Sequence, residues 1–261
     1  MALTKVGKEG ITGIDNSSDA TAITIDSSEN VGIGETSLLG KLHVKSGDSG
    51  ASSVSGNANE LVVENSDYTG ITILGENEAS IMFGDNEDPD VGRIVYFHGT
   101  NTMSFMTNAN NRMHIDSIGA VTKPHQPAFS VKNTNDQTNI AIDSSVTIVF
   151  DSERFDNNSD FASNTFTAPV TGKYHLNVHL YFQNVDDAHR YVQVKLDTSN
   201  ASYQAVNDPD HGQDVVYYTV VISQLADMDA NDTASVTVRL QDGAATTDLA
   251  NASYFSGHLV C

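Results

Sequence analysis

The stretch Lys173-Tyr174-His175-Leu176-Asn177-Val178-His179-Leu180-Tyr181-Phe182 decides the fold class. Tyr174, Leu176, Val178, Leu180 and Phe182 recur at every second position, which puts them on one face of a β-strand. Lys173, His175, Asn177, His179 and Tyr181 fall on the other. Similar runs occur at Val146–Phe150, Tyr191–Leu196, Val215–Leu225, Ala234–Leu240 and Ser253–Val260. Many short strands with turns between them indicate a β-sandwich or jelly roll. No window of useful length repeats apolar residues at helical spacing.

Upstream, the composition changes. Residues 1–124 are crowded with Gly, Ser, Asn, Asp and Thr, and their apolar runs are short. Strands are expected at Ala22–Ile25, Lys41–Val44, Glu60–Val63, Gly70–Leu74, Ser80–Phe83, Arg93–Phe97, Met103–Met106 and Met113–Ile115. Turn sequences such as Gly47-Asp48-Ser49-Gly50 and Gly84-Asp85-Asn86 separate them. Thr24-Ile25-Asp26-Ser27-Ser28-Glu29-Asn30-Val31 is echoed by His114-Ile115-Asp116-Ser117-Ile118-Gly119-Ala120-Val121. Each copy is an Ile-Asp-Ser strand end, a turn, and a Val that restarts a strand, as in a modular shaft. Strands this short bury little area at roughly 25 cal/mol per Å². Ordering each residue costs about 1–2 kcal/mol. A single copy should therefore not fold alone, and a parallel homotrimer would supply partners and cover free edges. Thr122-Lys123-Pro124-His125-Gln126-Pro127 reads as a linker, because its two prolines favour extended chain.

Charge excludes several partners. The 261 residues carry 34 acids against 13 bases, a net charge of -21. Such a chain repels nucleic acid and anionic membranes. No stretch is apolar for long enough to insert into a bilayer, and no signal peptide is expected at the N-terminus. The single cysteine, Cys261, permits no intrachain disulfide.

Two family resemblances follow. Met1-Ala2-Leu3-Thr4-Lys5-Val6, Asn16–Asp26 and Val31-Gly32-Ile33-Gly34 resemble the opening of tail-fibre-like proteins of marine bacteriophages, cyanophages especially. Asn59–Val63, Ile81–Gly84, Val91–Ile94, Met103–Thr107 and Arg112–Gly119 resemble their shaft modules. From about residue 127 the chain resembles complement globular heads and tumour-necrosis-factor-like jelly rolls. The residues are Pro127–Val131, Phe150-Asp151, Phe155-Asp156, Phe166–Tyr174, Leu225–Thr233 and Phe255–Leu259. Family heads carry Gly where this chain has Asn231, a residue that tolerates positive φ.

Together these imply an all-β chain, an elongated trimeric β-rich shaft followed by a ten-stranded antiparallel jelly-roll head. The expected segments are 1–45 for virion attachment and the first shaft segment, 46–121 for shaft modules, 122–127 for the linker and 128–261 for the head. The implied function is a non-enzymatic phage receptor-binding fibre in the virion. It would join tail proteins through Met1, Ala2, Leu3, Thr4 and Lys5 and touch a host glycan or protein with its trimeric head. The alternatives are a structural fibre that is not the primary adhesin, or a carbohydrate-degrading tailspike. The missing collagen Gly-X-Y repeat weighs against a secreted eukaryotic head protein.

Three side-chain groups are candidates. Three acidic loops would lie at one end of the head if strand order follows the family. Their residues are Asn184, Asp186 and Asp187; Asp208, Asp210 and His211; Asp242 and Asp248. These are the candidate receptor contacts; the plainer reading is solvated loop acids. His179 could line a threefold axis, and Asp186 and Asp187 a trimeric tip, where hard oxygens could hold calcium. No cofactor is certain, and ordinary interface hydrogen bonding would also account for the His-bearing face. His211 with Asp208 and Asp210 could be read as an acid–base group, yet no nucleophile elbow or carboxylate pair supports it.

Overall fold

The computed structural model describes residues 23–261, so the expected attachment residues Met1, Ala2, Leu3, Thr4 and Lys5 lie outside the described part. The chain forms two compact units, one ending at Leu74 and the other running from Gly75 to Cys261. Every regular element among the described residues is a β-strand.

The first unit holds β1 (Ile23–Ile25), β2 (Val31–Ile33), β3 (Leu42–Lys45) and β4 (Leu61–Glu64) in one sheet of that order. β1 and β2 form an antiparallel hairpin, while β2–β3 and β3–β4 pair in parallel. The expected strand at Gly70–Leu74 is absent. Among the described residues no strand pairs with the segment, and Ile71 and Leu74 stand exposed.

A buried polar cluster anchors this small sheet. His43 and Glu64 are both buried, and His43 Nε2 lies 2.9 Å from Glu64 Oε2. The backbone N–H and the hydroxyl of Ser49 donate to Glu64 Oε1 at 2.7 and 2.8 Å. These Ser49 bonds, then His43 and Lys45, hold the Glu64 carboxyl down at about 2. Lys45 also bridges to Glu35 at 2.6 Å, and this contact leads the causes that hold Glu35 at about 2.

The second unit opens with a meander of β5 (Glu78–Phe83), β6 (Gly92–Phe97), β7 (Thr102–Thr107), β8 (Asn110–Ile115) and β9 (Val121–Thr122). The alternation of this sheet is sharp. Ile81, Ile94, Phe105 and Met113 form one cross-strand row, and Ala79, Tyr96, Met103, Ile115 and Val121 the next on the same face. The opposite face is mixed: Glu78, Ser80, Arg93, Thr102, Ser104 and His114 alternate with Met82, Val95, Phe97 and Met106, and Ser104 Oγ lies 3.0 Å from His114 Nδ1.

The sequence echo is also a structural one. Asp26 Oδ1 accepts N–H bonds from Ser28 and Asn30, closing the β1–β2 turn. Asp116 Oδ1 accepts from Ile118 and Ala120, closing the β8–β9 turn. In each turn the residue three after the aspartate has positive φ, 64° at Glu29 and 88° at Gly119.

The head contains β10 (Ala128–Lys132), β11 (Ser145–Thr147), β12 (Ser152–Asp156), β13 (Phe161–Ala162), β14 (Thr165–Thr167), β15 (Gly172–Val185), β16 (Tyr191–Thr198), β17 (Ser202–Asn207), β18 (Val215–Met228), β19 (Thr233–Gln241), β20 (Asp248–Leu249) and β21 (Tyr254–Leu259). They make two 6-stranded sheets. One runs β12-β10-β21-β15-β18 with β20 beside β15, the other β13-β14-β19-β16-β17 with β11 beside β19. Every pairing between named strands here is antiparallel. The head thus holds twelve strands where the family resemblance implied ten.

The two sheets pack face to face, as alternating strands with one apolar side must. Tyr174, Leu176, Val178, Leu180 and Phe182 of β15 are fully buried, as the opening alternation requires. Val192, Val194, Leu196, Val236 and Leu240 meet them from the other sheet, also without exposure. Phe129 sits among Phe161, Phe166 and Phe255, with ring centroids 5.4, 4.6 and 5.0 Å away. Asn231 turns with φ 75° and donates its N–H to Ala168 O, so the Gly-to-Asn departure keeps the turn.

Candidate functional site

Three loops at one end of the head gather through side-chain-to-backbone bonds. They are the β15–β16, β17–β18 and β19–β20 connections. β15 and β18 pair in register up to Val185 and Val215, so the first two loops leave the sheet side by side. The third arrives because β19 pairs with β16 as far as Gln241 opposite Tyr191.

Asp186 is the knot. Its Oδ1 accepts from Ala188 N at 2.9 Å, and its Oδ2 from Ala244 N at 2.6 Å, across to the third loop. These two backbone bonds, in that order, lower its pKa. Asp187 makes the second tie: its Oδ1 accepts from His211 N at 2.7 Å, and its own N–H donates to Asp214 Oδ1 at 3.1 Å. Asp248 makes a third, accepting from Asn139 N at 2.7 Å and from Asn184 Nδ2 at 3.2 Å.

Beneath them lies His189, which is buried. Its Nδ1 is 2.7 Å from Asp242 O, and a carbonyl only accepts, so Nδ1 carries a proton. Its Nε2 is 3.0 Å from the hydroxyl of buried Thr247. Asp143 Oδ1 fixes the loop start by accepting from Gln241 Nε2 and Asp242 N at 2.6 and 2.9 Å. His189, Thr247, Asp143 and Asp214 were not among the residues singled out in the sequence. A buried histidine looks like any other loop histidine until its burial is known.

The candidate contact residues therefore divide by role. Asp186, Asp187 and Asp248 spend their carboxylates on the loop framework. Asp208, Asp210, His211 and Asp242 are exposed on it. Asp208 Oδ1 accepts from Asp210 N at 3.2 Å, which shapes the loop and leaves the Asp210 carboxylate outward.

The His-bearing face of β15 lies elsewhere. His175 Nε2 is 3.0 Å from Ser223 Oγ, which donates to Asn177 Oδ1 at 2.8 Å. His179 is exposed, near the Tyr254 ring, and Arg154 covers that ring at 5.1 Å. At about 3.3 Å per strand residue, His179 is roughly 23 Å along the chain from Asp186. Within one chain His179, Asp186 and Asp187 thus do not converge. Among the described residues no group of three His, Cys, Asp or Glu side chains within one chain could hold a metal.

The C1q domain model matches residues 128–260, just over half of the chain. No curated protein matches. Among solved structures, the globular domain of zebrafish complement 1qA protein is similar at 19% identity with a TM-score of 0.38, covering 52% of this chain and 98% of that one. C1q domains are recognition modules, not enzymes, and they form homotrimers. With the head's two sheets matched from β10 through β21, the chain belongs to the C1q domain family.

Proposed function

We propose that the chain is a receptor-binding fibre of a bacteriophage tail. Residues near the N-terminus, Met1 to Lys5, attach it to tail proteins. Residues 46–121 form the modules of a trimeric shaft, 122–127 join it to the head, and 128–261 form the head that meets the host. One observation carries the reading: a recognition domain of the C1q family presents three interlocked acidic loops at one end of its sandwich, and small β-sheets precede it in the sequence. The exposed Asp208, Asp210, His211 and Asp242 are the receptor contacts. Three heads per fibre raise a weak single contact by multivalency. Calcium bridging loop acids of neighbouring chains would extend the same surface.

The test uses the labelled full chain on a panel of marine cyanobacteria. It should stain a subset of strains and compete with phage adsorption to them. The substitution Asp210→Asn should cut staining while leaving the melting temperature unchanged, since only the Asp208 side chain shapes the loop. Normal adsorption of particles lacking the head would instead assign a structural role. Release of sugar fragments from host envelope would assign a tailspike.

A further inference from the structure

The two faces of the β5–β9 sheet differ in charge. The face of Val95 and Ser104 carries Glu78, Arg93 and His114 beside Met82, Phe97 and Met106, and Met82 there is 51% exposed. On the other face the rows through Ile94 and Met103 are apolar from β5 to β9, and nothing in the register puts a charge among them. That face is left open: Ile81, Phe83 and Val121 are exposed by 50%, 56% and 56%. An uncovered apolar sheet face of this extent marks an interface.

We infer that this face is closed by the same face of two further copies of the chain, giving a three-sided core shared among them. Three observations select a like copy as the occupant. The first is charge. A chain of net charge -21 resists the approach of its own copies, and this face carries none of that charge. The second is the neighbouring C1q domain, whose family forms homotrimers and so fixes the number of copies. The third is the short connection. β9 ends at Thr122, and the chain is already fastened to the head by Gln126. Gln126 Nε2 donates to Leu259 O at 3.1 Å, and Gln126 O accepts from Asn157 Nδ2 at 3.1 Å. Three assembled heads therefore hold three β5–β9 sheets within a few residues of one another, at high effective concentration. Repeating the face around a closed axis covers it without leaving an open end.

The inference rests on the fibre reading for its threefold symmetry, and the experiment separates the two. In the full chain with Cys261→Ser, a cysteine is placed on the apolar face as Met103→Cys or on the opposite face as Ser80→Cys. Both proteins are treated with a short bis-maleimide, and their native mass is measured by light scattering. The expected result is a three-chain mass for both, with interchain crosslinking from Met103→Cys about tenfold faster than from Ser80→Cys. A three-chain mass with no preference for Met103→Cys overturns the shared core and leaves the trimeric head standing. A single-chain mass overturns the shared core outright, and cell staining then decides the fibre reading by itself. As a second variant, Phe105→Asp should keep the three-chain mass through the head and open residues 75–121 to protease. Unchanged protease resistance would also overturn the shared core.

Discussion

A methyl group built on Gly243 would lie 2.6 Å from His189 Nδ1 and 2.9 Å from Asp186 Oδ2, at a φ of +76°. Glycine is therefore required where the third loop crosses the first. Gly243→Ala should cost about 1–3 kcal/mol. A lowered melting temperature, with the β1–β4 unit unaffected, would check this. Glu64 offers a test of charge. Its folded-state value of about 2 lies below the ordinary 4.5, so ionisation favours the folded form. Its contribution is complete above the ordinary value and is lost as pH falls from there through about 2. Glu35 behaves in the same way. The protection factors of the β3 and β4 amides should therefore fall between about pH 4.5 and 2, and Glu64→Gln should flatten that dependence.

At the scale of elements, the two Asp-closed hairpins make the clearest prediction. Asp26→Ala and Asp116→Ala each remove two N–H acceptors from one turn. Exchange of the Ser28 and Asn30 amides, or of Ile118 and Ala120, should rise several-fold in the matching variant and stay unchanged in the other. The elements also mark how far residues alone can be read. The head strands were legible because each buries one side, so period-two alternation is written into Tyr174 to Phe182 and its counterparts. Asn231 was legible as a turn for a conformational reason. The β2 strand (Val31–Ile33) was legible only through the echo, as the Val that restarts a strand after the Asp26 turn, since three residues with a central glycine carry no period of their own. Gly70–Leu74 shows the reverse error: its Ile71 and Ile73 alternate as a strand does, yet a strand exists only with a neighbour to bond. The loop cluster was half legible. Acid-rich turns could be placed at one end by strand order, whereas the buried His189–Thr247 contact depends on distances that no local pattern encodes.

For the whole molecule, charge is the dominant unbalanced quantity. Self-repulsion from a net -21 opposes compaction. Raising salt from about 10 mM to about 150 mM shortens the screening length from roughly 30 to 8 Å. The melting temperature should rise by roughly 2–4 °C for each kcal/mol of repulsion so relieved. A fall in stability with salt would instead give the net weight to the Lys45 ion pairs. The hairpins closed by Asp26 and Asp116 have one more consequence. Each holds its own clasp, an aspartate bonded to amides no more than four positions away. β2 still leans on β3 and β8 on β7, so the unit that can be copied without re-pairing is a whole sheet with its clasped hairpin at one edge. Under the fibre reading, the distance from particle to host then becomes adjustable in whole sheets, and the lineage can lengthen its reach without redesigning the end that recognises the cell.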